Sequence, residues 1–105
     1  MTKATCDNTH TRRLIFLVAQ ETGFTVAAIL GRQRVARLAR ARHLAAFVLR
    51  QDGHSFNEIG RALGSRDHTT AMHSVGVVDG QIRKNPALSL TVERLLADAC
   101  LLATA

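Results

Sequence analysis

The sequence predicts an all-α fold, a small helical domain of four main helices and one short helix. Apolar residues recur at spacings of three and four along most of the chain, and no stretch alternates apolar and polar residues as a half-buried strand does. Only one proline interrupts the 105 residues. This length suits a single domain, so we expect residues 11–105 to fold as one unit behind a mobile tail of residues 1–10.

The charge of the chain is unbalanced. Lys and Arg number 14 against 8 Asp and Glu, which gives a net charge of +6, and hydrophobic residues make up 47%, enough for a small core. A small basic domain is expected to bind a polyanion, most commonly nucleic acid. No apolar run is long enough to cross a membrane, and the lone pair Cys6 and Cys100 indicates no disulfide framework. We therefore expect a cytoplasmic, nucleoid-associated protein without a membrane partner.

The first predicted helix begins at Thr11. Leu14 and Val18 share one of its faces, and Gly23 is a plausible C-cap. A short apolar turn is expected over residues 26–30. His10 is assigned to the tail.

An arginine-rich stretch follows. Residues 32–42 read RQRVARLARAR, with five Arg and no acid. Beyond it the pattern is helical, since Leu44, Phe47 and Val48 are spaced i, i+3, i+4. Asp52-Gly53 is expected to end this helix. Because it contains five Arg without one acid, the stretch is more typical of phosphate or minor-groove contact than of a solvated helix face. Narrow A·T minor grooves attract arginine.

A short helix and then a longer helix are predicted next. Ser55 and Glu58 have the spacing of a capping box, which starts a short helix ending before Gly64. Asp67 is expected to cap the following helix, which Asn85-Pro86 stops. The predicted interior face of that helix consists of Met72, Val75, Val78 and Ile82. His54 is expected to be a loop residue near the cap.

A last helix is predicted from about Leu88 to Leu102. One side of it carries Val92, Leu95 and Ala99, and Cys100 is expected to be a small core residue. Its apolar arc is wide, so it is also a candidate surface for a protein partner such as RNA polymerase, a sigma subunit or a replication initiator.

Two helices joined by residues 64–66 have the pattern of a helix-turn-helix. The second helix of that motif enters the major groove with its N-terminal residues. Here residues 66–70 read Arg-Asp-His-Thr-Thr, which can reach phosphates, hydrogen-bond base edges and touch a thymine methyl. Gly76 and Gly80 lie on the outward face, where the backbone could approach DNA closely.

Residues 64–73, GSRDHTTAMH, resemble the signature of the C-terminal DNA-binding domain of the bacterial chromosomal replication initiator DnaA. Residues 56–64 are similar to the first helix of the family's helix-turn-helix, and residues 34–42 to its basic loop and the start of the next helix. The similarity runs from about Arg12 to Leu96, most of the chain.

The resemblance implies a division of labour on double-stranded DNA. The residues implied to read bases in the major groove are Asp67, His68, Thr69 and Thr70. Arg34 matches the arginine that enters the adjacent minor groove. The residues expected to contact phosphate or the DNA backbone are Arg32, Arg37, Arg42, His43, Arg66 and His73.

The sequence also departs from the family. Gly76 and Val77 stand where the family often has a basic pair. There is no G-x-x-x-x-G-K-[ST] run, so the family's ATP-driven module, a nucleotide and any other cofactor are not expected. His68 and His73 are five residues apart, the wrong helical spacing for a shared metal. No acid, base and nucleophile set is evident, so we expect no enzyme.

We therefore expect a sequence-specific double-stranded DNA-binding protein that resembles the initiator's reading domain. Transcriptional regulation, for instance of a phage-like or gene-transfer-agent cluster, is the role we place first. One alternative is a replication-associated factor or a competitor at initiator boxes. Another is a protein-docking module for an initiator, polymerase or sigma subunit, which the loss of basic residues at Gly76 and Val77 favours.

Overall fold

A computed structural model describes residues 8–104, with side chains described from Thr9 to Leu101. Within that part of the chain every regular element is a helix, which confirms the all-α fold. The six helices are α1 Asn8–Thr22, α2 Val26–Leu30, α3 Ala36–Gln51, α4 Phe56–Ala62, α5 His68–Lys84 and α6 Ala87–Thr104. None of them is both long and apolar enough to pass through a lipid bilayer.

Two differences from the sequence prediction concern the first helices. Residues 26–30, predicted as a turn, form the helix α2, because the Thr25 hydroxyl accepts a hydrogen bond from the backbone N–H of Ala28 at 3.0 Å and caps it. Helix α1 begins at Asn8, three residues before the predicted start at Thr11. Residues 1–7 of the predicted tail lie outside the described residues.

Helix α3 is the centre of the domain. Its residues 44–49 are buried one after another, so it is covered on all sides over that stretch. Helices α1, α5 and α6 each pack against it, and α6 also lies along α1. Leu14 and Val18 from α1 and Leu95 from α6 complete the same core.

Polar residues join the start of α1 to the end of α3. His10 was expected in the tail, but it is buried in α1, with its Nε2 3.3 Å from Oδ1 of Asp52. His54 is a loop residue as predicted and is fully buried. Its Nδ1 donates to the carbonyl of Leu49 at 3.1 Å, because a carbonyl can only accept. In the neutral imidazole Nε2 therefore accepts from the Thr11 hydroxyl at 3.0 Å. The burial of His10 follows from the earlier start of α1.

The buried face of α5 differs from the prediction. Ala71, Ser74 and Val78 are buried, whereas Met72 is 49% exposed. Small residues at the contact let two helices approach closely, and α5 therefore packs on α3 and α4 through Ala71 and Ser74. Val78 is buried as predicted, and Ile82 is partly buried against the core. Hydrophobic periodicity ranks Met72 above a serine, so the prediction was wrong at Met72 and missed Ala71 and Ser74. Val75 is partly buried at its edge.

A similar correction applies to α6. Cys100, expected in the core, is exposed, whereas its neighbour Ala99 is fully buried as predicted. One residue corresponds to about 100° of rotation around a helix, so the two side chains point to different surroundings.

The turn of the helix-turn-helix depends on two glycines. The capping box is confirmed, with Ser55 and Glu58 each accepting a hydrogen bond from the other's backbone N–H. A Cβ added at Gly60 would stand 2.2 Å from the carbonyl oxygen of Arg66, so α4 and the turn meet there through bare backbone. Gly64 has a φ of +90°, a conformation that glycine adopts without steric cost.

Candidate nucleic-acid interface

The start of α5 presents four polar side chains to solvent. Asp67 is the N-cap residue in an extended conformation, and His68, Thr69 and Thr70 form the exposed first turn. The Asp67 side chain makes no hydrogen bond to the helix backbone, so it does not act as the predicted side-chain cap. Its Oδ1 lies 3.1 Å from Nδ1 of His68 instead. All four predicted base-reading side chains are therefore exposed at one end of the helix.

The arginine-rich stretch begins in an exposed connection between α2 and α3. Arg32 and Arg34 lie in this connection and are exposed, and Arg37 is exposed in the first turn of α3. Arg34 is followed directly by Val35, the N-cap residue of α3. The structure thus leaves these three side chains accessible, as their predicted contacts with DNA require.

Arg42 has a different environment from the other arginines. Its Nε donates to the carbonyl of Ile29 and its Nη1 to that of Gln33, both at 2.7 Å. Its Nη2 donates to the carbonyls of Ala28 at 3.0 Å and Gly31 at 2.8 Å. One guanidinium therefore collects four backbone carbonyls from the end of α2 and the basic connection. Its phosphate contact stays a prediction, and its visible role is to shape this connection.

Arg66 completes the same arrangement from the turn of the helix-turn-helix. Its Nη1 donates to the carbonyl of Leu63 and its Nη2 to that of Gly31. Arg42 and Arg66 thus share one acceptor, and we call these two arginines with the Gly31 carbonyl the arginine clasp. The clasp joins the connection that carries Arg34 to the turn that precedes α5.

The clasp concentrates positive charge. Burial lowers the pKa of Arg66, and the nearby charges of Arg42 and Arg32 lower it further. Burial also lowers the pKa of Arg42. Both guanidinium groups remain charged at neutral pH because an arginine pKa lies so far above it. An anion approaching this surface would relieve the repulsion.

His43 and His73 meet between α3 and α5. Their ring centroids are 6.0 Å apart in an edge-to-face arrangement. The pKa of His43 is lowered, first by burial and second by the neighbouring charge of His73. Beside them is a cavity of about 170 Å³ whose polar lining includes Arg42, His43, Arg66, Thr70 and Ser74. Four of the predicted contact residues thus surround one small cavity.

Most of the predicted site residues form two neighbouring groups. The base-reading residues lie at the start of α5, and Arg32, the arginine clasp and the histidine pair form the second group. Arg37 lies apart from both and lines a separate pocket with Phe24 and Gln81. Sequence reasoning missed that Arg42 binds carbonyls 9 to 14 residues away along the chain, and no sequence pattern signals such a contact. Among the described side chains, no group of three or more His, Cys, Asp or Glu is placed to hold a metal ion.

Comparison with known proteins agrees with this geometry. The family model described as the bacterial dnaA protein helix-turn-helix matches residues 11–78. Among the curated relatives is the chromosomal replication initiator protein DnaA of Rhodopseudomonas palustris (strain BisA53), 36% identical over 80 residues, which are 75% of this chain and 17% of that protein. The same-named protein of Dechloromonas aromatica (strain RCB) is 40% identical over 70 residues, 65% of this chain and 15% of the relative.

A third relative extends the match. The chromosomal replication initiator protein DnaA of Thermomicrobium roseum is 35% identical over 91 residues, 82% of this chain and 20% of that protein. No solved structure matches the chain. The chain spans a fifth or less of the length of these three relatives. By the family model and by these relatives, the chain belongs to the family of the bacterial DnaA helix-turn-helix domain.

Proposed function

We propose that this protein binds double-stranded DNA in a sequence-specific manner. Membership of the DnaA helix-turn-helix family supports DNA binding. The observation that carries the proposal is the position of the exposed polar first turn of α5 next to the exposed basic connection, with the arginine clasp holding the two together. A duplex can then meet both elements at once.

In this proposal α5 enters the major groove with its N-terminus first. Asp67 accepts a hydrogen bond from a cytosine amino group, and His68 and Thr69 contact neighbouring base edges. Arg34 enters the adjacent minor groove, where an A·T-rich sequence provides the strongest negative potential. The charge of the chain, +6, supplies sequence-independent attraction to the phosphates.

The test is selection from random duplex DNA by the purified full chain at near-physiological salt. We expect one motif to be enriched. His68→Ala or Thr69→Ala should then weaken binding to the selected site by about 1–3 kcal/mol and relax preference at one or two base pairs. Because both side chains are exposed, the thermal stability of these variants should stay close to that of the parent chain. Unchanged affinity and preference in both variants would show that the base-reading roles are wrongly assigned.

The minor-groove role of Arg34 has its own test. Arg34→Ala should weaken binding to sites with A·T-rich flanks more than to sites with G·C-rich flanks, because the narrow A·T groove favours arginine. Arg13→Ala in α1 provides a control that removes one positive charge outside this interface. Equal losses on the two kinds of flank would contradict the assignment.

A second candidate function is docking of another protein. The observation that favours it is exposed apolar surface on α6, where Leu90 is 65% and Leu101 is 67% exposed. A partner of this kind could be an initiator, a polymerase or a sigma subunit. Salt dependence separates the candidates, because a reader with six phosphate contacts should lose about three decades of affinity for DNA between 50 and 200 mM salt. The affinity of a partner that docks through apolar residues would depend far less on salt concentration.

We place transcriptional regulation first among the cellular roles, for instance of a phage-like or gene-transfer-agent cluster. Bound sites mapped across the genome should then lie at promoters. Sites that coincide with initiator boxes would favour competition with the initiator or a role in replication instead. A nucleoid-associated location in the cytoplasm follows from either role.

A further inference from the structure

Met72 is an apolar side chain on the exposed face of α5. Only five large hydrophobic residues among the described side chains are exposed: Phe16, Val35, Met72, Leu90 and Leu101. Met72 is the one that belongs to the second helix of the helix-turn-helix. Its neighbours Ala71 and Ser74 are buried, so the packing of α5 on the rest of the chain leaves Met72 outside.

The position of Met72 around the helix places it beside the base-reading residues. At about 100° per residue, Met72 lies one turn after His68 and on the same flank of α5. His73 is rotated about 100° from Met72 and faces His43 of α3. Gly76 follows one turn later, and a Cβ added there would meet nothing within 4 Å. Gly76 therefore leaves a gap beyond Met72, and the next exposed side chains on this side of α5 are those of the ion pair Asp79 and Arg83.

We propose that Met72 contacts the C5-methyl group of a thymine in the major groove and so extends the reading surface by one helical turn. This inference rests on the proposed DNA-binding function. The thymine methyl is the apolar group on the major-groove edges of the four bases, and a flexible, polarizable thioether adapts well to it. A hydrogen-bonding role is not open to this side chain beyond weak acceptance by sulfur.

The distance along the helix indicates which base pair Met72 reads. Four residues of α-helix rise about 6 Å. Successive bases of one strand are about 3.4 Å apart. For a helix inclined in the groove, Met72 should therefore reach a base one or two steps beyond the base contacted by His68. Specificity at that step then comes from an apolar contact, not from a hydrogen bond.

The test uses uracil, which differs from thymine only by the missing methyl group. The parent chain and Met72→Ala are titrated with the selected duplex and with a series in which each thymine is replaced singly by deoxyuridine. At one position the parent should lose about fourfold in affinity, the worth of one buried methyl group. Met72→Ala should bind the thymine duplex more weakly by a similar factor and should be insensitive to that same replacement. It should still respond to replacements elsewhere in the site.

Two variants serve as controls. Met72→Leu retains an apolar side chain of similar volume and should restore most of the sensitivity to uracil. Leu90→Ala removes a comparably exposed apolar side chain from α6 and should leave both the affinity and the uracil profile unchanged.

Several outcomes would overturn the inference. One is a Met72→Ala variant that binds every duplex as the parent does. Another is an equal loss on thymine and uracil duplexes at every position, which would assign Met72 to the sugar-phosphate backbone. The inference would also be refuted if the parent chain enriches a motif but its affinity is unchanged by every single uracil replacement in the selected site. In that case sequence-specific binding would stand and only the role of Met72 would fail. If selection enriches no motif at all, the proposed function fails together with the role of Met72.

Discussion

The arginine clasp leads to a prediction about Arg42→Lys. The wild-type guanidinium donates to four backbone carbonyls, those of Ala28, Ile29, Gly31 and Gln33. A lysine keeps the charge at this position, but its single ammonium group cannot span four acceptors arranged around a planar fork. The substitution therefore removes the geometry of the clasp while it preserves the electrostatic attraction to DNA.

The size of the effect follows from the hydrogen bonds lost. A lysine can retain about one of them, so three are lost, and each contributes about 1 kcal/mol net to stability. Water can reach part of this surface and solvate some of the carbonyls, so we expect a decrease of about 2–3 kcal/mol in the free energy of unfolding. For a domain of this size that corresponds to a Tm lower by about 10–20 °C.

The assay combines thermal unfolding with the salt dependence of DNA affinity. Affinity for DNA falls as salt rises, and loss of one phosphate contact reduces the magnitude of the slope of log affinity against log salt by about one. We expect Arg42→Lys to bind DNA more weakly, because the connection that carries Arg34 is no longer held in place. The salt slope should be unchanged, because lysine keeps the positive charge at position 42. Arg40→Lys is the matched control, since Arg40 is exposed on the same helix and should tolerate the change. A variant with the Tm and the DNA affinity of the parent chain would refute the reasoning.

Three further predictions concern other positions. Gly60→Ala should destabilise the domain by about 1–3 kcal/mol in chemical denaturation, since its Cβ would meet the Arg66 carbonyl oxygen at 2.2 Å; parental stability would contradict this close approach. Gly76→Ala, whose Cβ has open space, should raise stability by about 0.5–1 kcal/mol and yet weaken binding to the selected site; unchanged affinity would show that DNA does not approach α5 there. Because the pKa of His43 is lowered from 6.5 by burial and by His73, the unfolded chain takes up that proton first as pH falls. The free energy of unfolding should therefore decrease below about pH 6.5, and less steeply in His43→Gln; parallel pH profiles would refute this.

The helices themselves were largely predictable because their signals are local. The capping box of Ser55 and Glu58, the C-terminal Gly23 and the stop at Asn85-Pro86 depend on residues within one turn of each other. The error at α2 arose because a five-residue helix carries too little periodicity to distinguish it from a turn.

The candidate site was predictable in part. The exposed first turn of α5 follows from its place after the turn of a helix-turn-helix, and the exposed Arg34 follows from the charge of its stretch. The exposure of Met72 was not predictable, because it depends on which side of α5 the small residues Ala71 and Ser74 allow α3 and α4 to approach.

The sequence alone determined that this chain is a basic, all-α member of a helix-turn-helix family, since composition, periodicity and a short motif are properties of neighbouring residues. Only the tertiary structure decided which arginines are accessible and which are engaged. Arg34 and Arg42 belong to one basic stretch, yet the first is exposed and the second binds four carbonyls of a segment that folds back onto α3. Such contacts arise from packing between distant segments, and local sequence does not encode them.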